Sequence, residues 1–525
     1  MILAAYCLVL TQFGLENFDT GYIPSFAWRI VNGQTVYQDF IYKGPPVTLY
    51  FHAIFMYCLP ETAQFFFIRI INYLLFALQV YLVVDAFYHS YDLRKFQKWG
   101  LVTIGFMVSI LAFSPYPWPT TDGLLFASVA FWLVSKSKDP GFWKLFTIAL
   151  FCMLSALTKQ SFYLIPILFL LWIFVQHSYR KAIVFMVQII ALSGIYLSLI
   201  VSATSFKNFI SQTTGETHWH DLFYTGLHNY IFISVKAFAV LLAIFLALAF
   251  GYLKLTKRKP SVLLPFFKWT AVFVFSVAIA LCCFKKIELA SRIAFDAALI
   301  ALIYGIGFKV ENLRKYFPVA VSLGIAWSSS ISLGYQFPVL FSTAIVLGFI
   351  VLIEKNLKMH PQYYLWIAVP VCITAFSYNL KPYREPNIFD LKYPLESISS
   401  KLKFIKTSKS NFEKYSELKQ LVAKYGENFI VAPNIPMANY LFNDQSELPA
   451  DWIIETEVGR RQNLFIRLAS EKKNYIFLEK SFLQHEEFMP EDKEKFSSIA
   501  AFIYKNFNQI DQTSHFLVYN ALKPQ

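Results

Sequence analysis

The sequence predicts a mainly α protein: a polytopic bundle of transmembrane helices with a small external α/β domain at its C-terminal end. Three observations predict it. Of the 525 residues, 56% are hydrophobic and only 15% charged, whereas about a quarter are charged in soluble globular proteins. Apolar runs of helix length follow one another as far as residue 378 and then stop. Aromatic residues make up 18% of the chain, with 55 Phe and 31 Tyr. They recur near the ends of the apolar runs, where amphipathic rings suit a membrane interface.

The formal net charge of +14 raises the question of a nucleic-acid partner. Residues 379–525 hold 20 Lys and Arg against 19 Asp and Glu, leaving 27 against 14 in residues 1–378, so the excess belongs to the apolar part. It lies in alternate loops, at Arg94, Lys95 and Lys98; Lys136, Lys138 and Lys144; Arg180 and Lys181; Lys254, Lys257, Arg258 and Lys259; Lys309, Arg314 and Lys315; and Lys355 and Lys358. That alternation is the positive-inside pattern of a membrane protein. A nucleic-acid face would gather the charges on one surface, and no nucleic-acid partner is expected. All 6 cysteines fall in apolar segments without metal-ligand spacing and read as small core residues. The chain has no Asn-x-Ser/Thr acceptor, which favours a bacterial membrane over that of the endoplasmic reticulum.

The first apolar run, 1–13, is shorter than the roughly 20 residues of a spanning helix and lacks the marks of a signal peptide. It reads as a shortened first helix. Residues 16–60 read as the first external loop. Its polar stretch, 16–46, carries Asp19, Arg29, Asp39 and Lys43. The run 47–59 follows Pro45 and Pro46 and is too short to span, so a helix lying at the interface is expected. Spans are then expected at about 63–87, 99–115, 119–135, 143–158, 160–176, 182–204, 228–253, 264–284, 290–308, 317–333, 337–353 and 363–378, about thirteen with the first helix. An odd number of crossings puts the opening loop and the tail on one side and every basic loop on the other. The domains are therefore 1–378, in the membrane, and 379–525, external and periplasmic in a bacterial inner membrane.

In the tail, a connector at 381–409 leads to a helical run at 412–425 and the strand-like NFIVAP. The strand-like YIFLEK, a helical stretch near 491–507 and the strand-like HFLVY follow. With no glycine-rich phosphate loop, the tail reads as a lid or acceptor-docking module without chemistry of its own.

Ionisable groups in apolar runs are costly. Arg69, Asp122, Lys159, Lys285, Lys286, Glu288, Arg292 and Asp296 are the conspicuous ones, and on this topology nearly all fall in the outer half, with Asp19 and Asp39. That points to a polar chamber open to the external leaflet, snorkelling to headgroups being the alternative. His218, His220 and Asp221 form a weak candidate for a divalent metal, against an ordinary polar loop. The Ser- and Gly-rich run 327–338 either lines a pocket or breaks two helices.

Asp19, Gly21, Tyr22, Ala27, Ile30, Gly33, Tyr37, Asp39, Phe40, Lys43, Pro45, Pro46 and Tyr50, followed by Arg69 in the next span, form a pattern. It resembles the membrane glycosyltransferases of the GT-C class, in particular the family 39 type, the protein O-mannosyltransferases and the aminoarabinose transferases that modify lipid A. In those families an external first loop begins with Asp-Glu and an aromatic and runs to a Lys-Pro-Pro turn and a juxtamembrane helix. Here Thr20 stands in place of the Glu, and Gly44 separates Lys43 from the prolines. The close match covers about 60 residues, the remainder matching in topology.

The resemblance implies inverting transfer of a sugar from a polyprenyl-phosphate donor to a lipid, glycan or protein acceptor at the external face. Such a reaction needs a carboxylate to take the acceptor's hydroxyl proton and cations to stabilise the departing phosphate. Asp19 is the expected base. Lys43, Arg69, Lys159 and Arg292, then Lys285 and Lys286, are the expected phosphate ligands, with Tyr22 also contacting substrate and Asp39 pairing with one of these cations or orienting the acceptor, a solvated loop carboxylate or helix cap being the alternative. No cofactor is required, because lysines and arginines can hold a monophosphate without a metal. A transporter or flippase of lipid-linked sugars is the rival reading, although such proteins place polar groups near the midplane in paired repeats.

Overall fold

The computed structural model describes residues 2–214, 310–331, 362–426, 428–471, 475–481 and 498–522, with single positions between 243 and 306. The spans expected at 228–253, 264–284, 290–308 and 337–353 fall wholly or largely outside the described residues. Helices α1 (Ile2–Leu10), α2 (Tyr22–Val31), α3 (Val47–Cys58), α4 (Gln64–Ser90), α5 (Lys95–Ala112), α6 (Pro119–Ser135), α7 (Phe142–Ala156), α8 (Ile165–Gln176), α9 (Tyr179–Ala203) and α10 (Phe206–Thr213) follow in order. Then come α11 (Val310–Ser330) and α12 (Gln362–Asn379). Helices α4 and α9 are long and apolar enough to cross a membrane; α3, α7 and α8 are shorter.

α9 shows its environment most plainly. Ile183, Met186, Val187, Ile190, Ile195, Leu197, Leu199 and Val201 all stand exposed along it. So large an apolar face is unfavourable in water and suits contact with lipid chains. The inner faces of the helices, including Ala182 and Phe185 of α9 itself, pack into one core with Phe76, Val80, Phe87, Phe131, Ile148, Phe169 and Trp172. At the far end of α4, the Asp85 carboxylate gathers Lys98 at 2.6 Å, Lys136 at 2.7 Å and the Trp132 indole N–H at 2.7 Å. Two of the basic loops are thereby tied to one carboxylate.

The tail holds a two-stranded ribbon, β1 (Tyr393–Pro394) with β2 (Lys406–Thr407), then α13 (Lys409–Tyr425) and β3 (Phe429–Ala432). After these come α14 (Ala438–Phe442), α15 (Glu455–Val458), α16 (Gln462–Glu471), β4 (Tyr475–Glu479), α17 (Ser498–Asn506), β5 (Phe507–Gln512) and β6 (Phe516–Leu522). The larger sheet has the order β3-β4-β6-β5, with β3 parallel to β4 (Phe429 opposite Tyr475) and the other pairs antiparallel. Buried β3 and β4 read as continuous apolar runs because both faces are covered. β5, with exposed Asn508 and Gln509 at the sheet edge, carries no such signal and was not anticipated.

The opening loop is more ordered than its polarity suggests. Tyr22–Val31 is a helix whose Tyr22, Ile23, Phe26 and Ala27 are all buried. It packs on α3 and, across 364 residues and more, on the tail: Leu15, Ala27, Trp28, Ala53 and Phe65 share one core with Leu395, Leu402, Tyr415, Met437 and Tyr440. A Cβ on Gly21 would lie 2.5 Å from the Met437 Cβ and 2.9 Å from its backbone nitrogen, so only glycine allows this approach.

Arg29 carries the polar half of the interface. Its Nε donates to Asp451 Oδ2 at 2.7 Å and its Nη2 to Oδ1 at 2.6 Å, both side chains being almost wholly buried. Ser25 and Asn439 complete the carboxylate's shell at 2.9 and 3.1 Å. A forked, fully buried pair is costly to break from one side. Arg29→Met is therefore expected to destabilise the docked tail by about 3–5 kcal/mol, read as a lowered thermal midpoint of full-length protein in detergent and faster proteolysis of the tail. An unchanged midpoint would remove the fork from any role in docking.

Candidate active site

Three strands of sequence far apart in the chain meet around the opening segment. The first group centres on Glu16 and Asp19, the latter opening a short 3-10 turn into α2. Buried Glu16 accepts from the Thr20 backbone N–H at 3.2 Å, from the Thr20 hydroxyl at 3.3 Å and from Arg384 Nη1 at 2.9 Å. Asp19 Oδ2 accepts from the Tyr383 hydroxyl at 2.9 Å and lies 3.5 Å from the same guanidinium nitrogen. Thr20, where a second acid is expected from the resemblance, instead donates to the acid four residues earlier. Burial pushes the Glu16 carboxyl up and the Asp19 charge adds to this, while Arg384 and the Thr20 N–H pull it back.

Arg384 holds this group together at some conformational cost. Its φ of 53° is left-handed, sparsely populated for a non-glycine residue. Contacts of its half-exposed side chain offset that cost: the guanidinium lies 5.2 Å from the Phe18 ring centroid and 4.9 Å from that of Tyr383, besides its two carboxylates.

The second group is cationic. Lys43, half-exposed at the end of the loop, pairs with Glu457 of the tail, whose other oxygen accepts from the Tyr22 hydroxyl at 2.6 Å. The Lys43 carbonyl accepts from Gln160 Nε2 at 2.6 Å. Lys159, in the turn between α7 and α8, donates to the Thr120 hydroxyl at 3.4 Å. Burial, with a smaller push from the nearby positive charge of Lys43, brings its ammonium down to about 7. Among the described residues no carboxylate pairs with Lys159. Gly123 lets this turn approach α6, since a Cβ there would lie 2.4 Å from the Phe162 ring and 2.6 Å from the Thr158 hydroxyl.

Tyr22 joins the two groups. Its phenol is buried among Phe26, Tyr42, Trp118 and Trp452, with the Trp452 ring centroid at 5.3 Å. Burial and the adjoining Glu457 charge push it well above its ordinary value, Asp19 adding a smaller push. It therefore stays protonated and can only donate towards an anion. Nearby in the bundle, on α3 and α6, His52 Nε2 lies 3.1 and 3.2 Å from the two oxygens of buried Asp122.

Several expected residues are placed elsewhere. Arg69 is buried in α4 and donates to the carbonyls of Thr11 at 2.9 Å, Phe13 at 3.2 Å and Gly14, with Phe65 and Tyr116 stacked at 4.7 and 5.3 Å. Its two terminal nitrogens fasten the end of α1, because carbonyls left without helical partners need donors, while its buried Nε has no hydrogen-bond partner among the described residues. Asp39 is exposed and accepts from the Thr35 N–H at 2.6 Å, closing a turn. Lys285, Lys286 and Arg292, and the metal candidates His218, His220 and Asp221, lie outside the described residues. Glu16, Tyr383, Arg384 and Glu457 were not anticipated. Only the Pro-Tyr-Arg-Glu-Pro run at 382–386, polar directly after an apolar helix, carries any local signal.

No protein-family model matches the chain, and no curated protein sequence does. Among solved structures, ArnT from Cupriavidus metallidurans in the apo state is similar, at 10% identity and a TM-score of 0.44, over 100% of this chain and 98% of that one. At that score the likeness bears no weight, and the functional reading rests on the residues of this chain.

Proposed function

We propose that the protein is an integral-membrane glycosyltransferase that moves a sugar from a polyprenyl-phosphate donor to a hydroxyl acceptor at the external face of a bacterial inner membrane. One observation carries this reading: a carboxylate, Asp19, and two cations, Lys43 and Lys159, one of them lacking a carboxylate partner among the described residues, gather about Tyr22 and Glu457 in a protein whose α9 bears a lipid-facing apolar side. A donor with a long apolar tail and an anionic head suits apolar lipid-facing helices and such a pair of cations together.

Asp19 takes the proton of the acceptor hydroxyl as its oxygen attacks the anomeric carbon. The bond from that carbon to the phosphate oxygen breaks, and the electron pair leaves with the polyprenyl phosphate. Lys43 and Lys159 meet the charge that develops on it. One displacement from the face opposite the phosphate inverts the anomeric centre. Glu16 and Arg384 hold Asp19 and its loop in place, Arg69 serves the scaffold, and Asp39 is too exposed at its turn to be assigned a substrate contact. Arg292, Lys285 and Lys286 remain candidates for additional phosphate contacts. The tail, docked over the loop, limits water access and offers a surface for a lipid, glycan or protein acceptor.

The test is transfer in proteoliposomes containing full-length protein, labelled polyprenyl-phosphate sugars and a panel of lipid, glycan and protein acceptors. The expected result is labelled acceptor with stoichiometric release of polyprenyl phosphate. Translocation of intact sugar-lipid without any transfer would identify a transporter and overturn the proposal.

A further inference from the structure

Glu457 lies on the short helix α15 of the tail, 414 residues from Lys43, yet both of its oxygens serve the opening segment. Oε1 pairs with the Lys43 ammonium and Oε2 accepts from the Tyr22 hydroxyl at 2.6 Å. An ammonium and a phenol that grip two oxygens of one anion would grip two oxygens of a phosphate in the same way. The Glu457 side chain is 10% exposed and that of Lys43 46%, so Lys43 keeps an open flank through which an incoming anion reaches it. Lys159, whose charge is felt alongside that of Lys43, adds positive charge that Glu457 alone does not balance. The tail is fastened independently of this contact, at Arg29 with Asp451 on one side and at Arg461 with Asn208 and Ser211, both at 3.0 Å, on the other. Rotation of the Glu457 side chain therefore vacates the position without undocking the domain.

We infer that Glu457 is an intramolecular occupant of the donor-phosphate subsite, holding Lys43 and Tyr22 until the donor's phosphate displaces it. The tail then sets the affinity for donor rather than merely covering the opening segment. This inference rests on the assignment of Lys43 to the phosphate in the proposed function.

The test is equilibrium binding of farnesyl phosphate to full-length protein in nanodiscs, by titration calorimetry. Glu457→Gln removes the competing charge and is expected to tighten binding about five-fold, the size of one partly exposed ion pair. Glu457→Ser checks the same gain with a smaller side chain, in case the amide packs badly. In a Lys43→Ala background binding is expected to be weak and insensitive to Glu457→Gln. If Lys43→Ala weakens binding but both Glu457 variants leave it unchanged or weaker, Glu457 is no competitor and the inference fails while the phosphate subsite stands. If Lys43→Ala binds farnesyl phosphate as well as the unaltered protein does, the subsite assignment itself fails.

Discussion

Asp19→Asn is expected to slow sugar transfer about 10²–10⁴-fold, the usual contribution of a positioned general base, while donor affinity changes by less than about two-fold. The substitution keeps the shape of the side chain and an oxygen to accept from Tyr383, so the loop has no reason to move. What it removes is the group that receives the acceptor's proton. Single-turnover transfer in proteoliposomes, read beside farnesyl phosphate binding, separates the two effects. Glu16→Gln is the informative control. Its carboxylate is buried and already engaged by Thr20 and Arg384, so the loss there is expected to be smaller and to come with a lowered thermal midpoint. Should Asp19→Asn retain more than about a tenth of the unaltered rate, a base elsewhere would have to be sought.

Lys159 supplies the second large effect, in both affinity and pH dependence. Its ammonium, brought down to about 7, loses its proton as the pH rises through neutrality. The phosphodiester of a lipid-linked sugar keeps its single negative charge throughout that window. Donor binding is thus expected to be tightest below pH 7 and to weaken towards pH 8.5, with proton uptake per donor bound of about half at pH 7, rising towards one at higher pH. Lys159→Met should cost about ten-fold to a hundred-fold in donor affinity at pH 6, as expected for a charge-assisted contact, and flatten the profile. Lys43→Ala removes the neighbouring positive charge, so the inflection contributed by Lys159 should move to higher pH. A profile of unaltered shape in Lys159→Met would exclude this residue from the phosphate subsite.

Both residues stand out in the sequence for a local reason: Asp19 is an acid in the polar loop between apolar runs, and Lys159 a cation between two apolar runs. Arg69 shows how little a buried cation says by itself. A buried arginine beside a helix end is explained as well by carbonyls in need of donors as by a phosphate, and only its partners tell the two apart. Asp39 shows the complementary difficulty. A loop carboxylate four residues after Thr35 can close a turn or face a substrate, and composition is silent on which.

Long apolar runs and short β-branched segments determined by themselves where most of the described helices and three of the tail's strands lie, since local periodicity and burial on both faces are written in consecutive residues. They did not reveal α2, whose buried face is apolar only in part and meets the tail, nor β5 at its polar edge. The opposition of Asp19 to Tyr383 and Arg384, and of Lys43 and Tyr22 to Glu457, was decided by the tertiary structure. Each pair spans hundreds of residues, and neither partner carries a local mark of the other. A side chain's chemistry at such a distance is set by which tail surface docks on the loop, and that depends on the whole shared core from Leu15 to Val518.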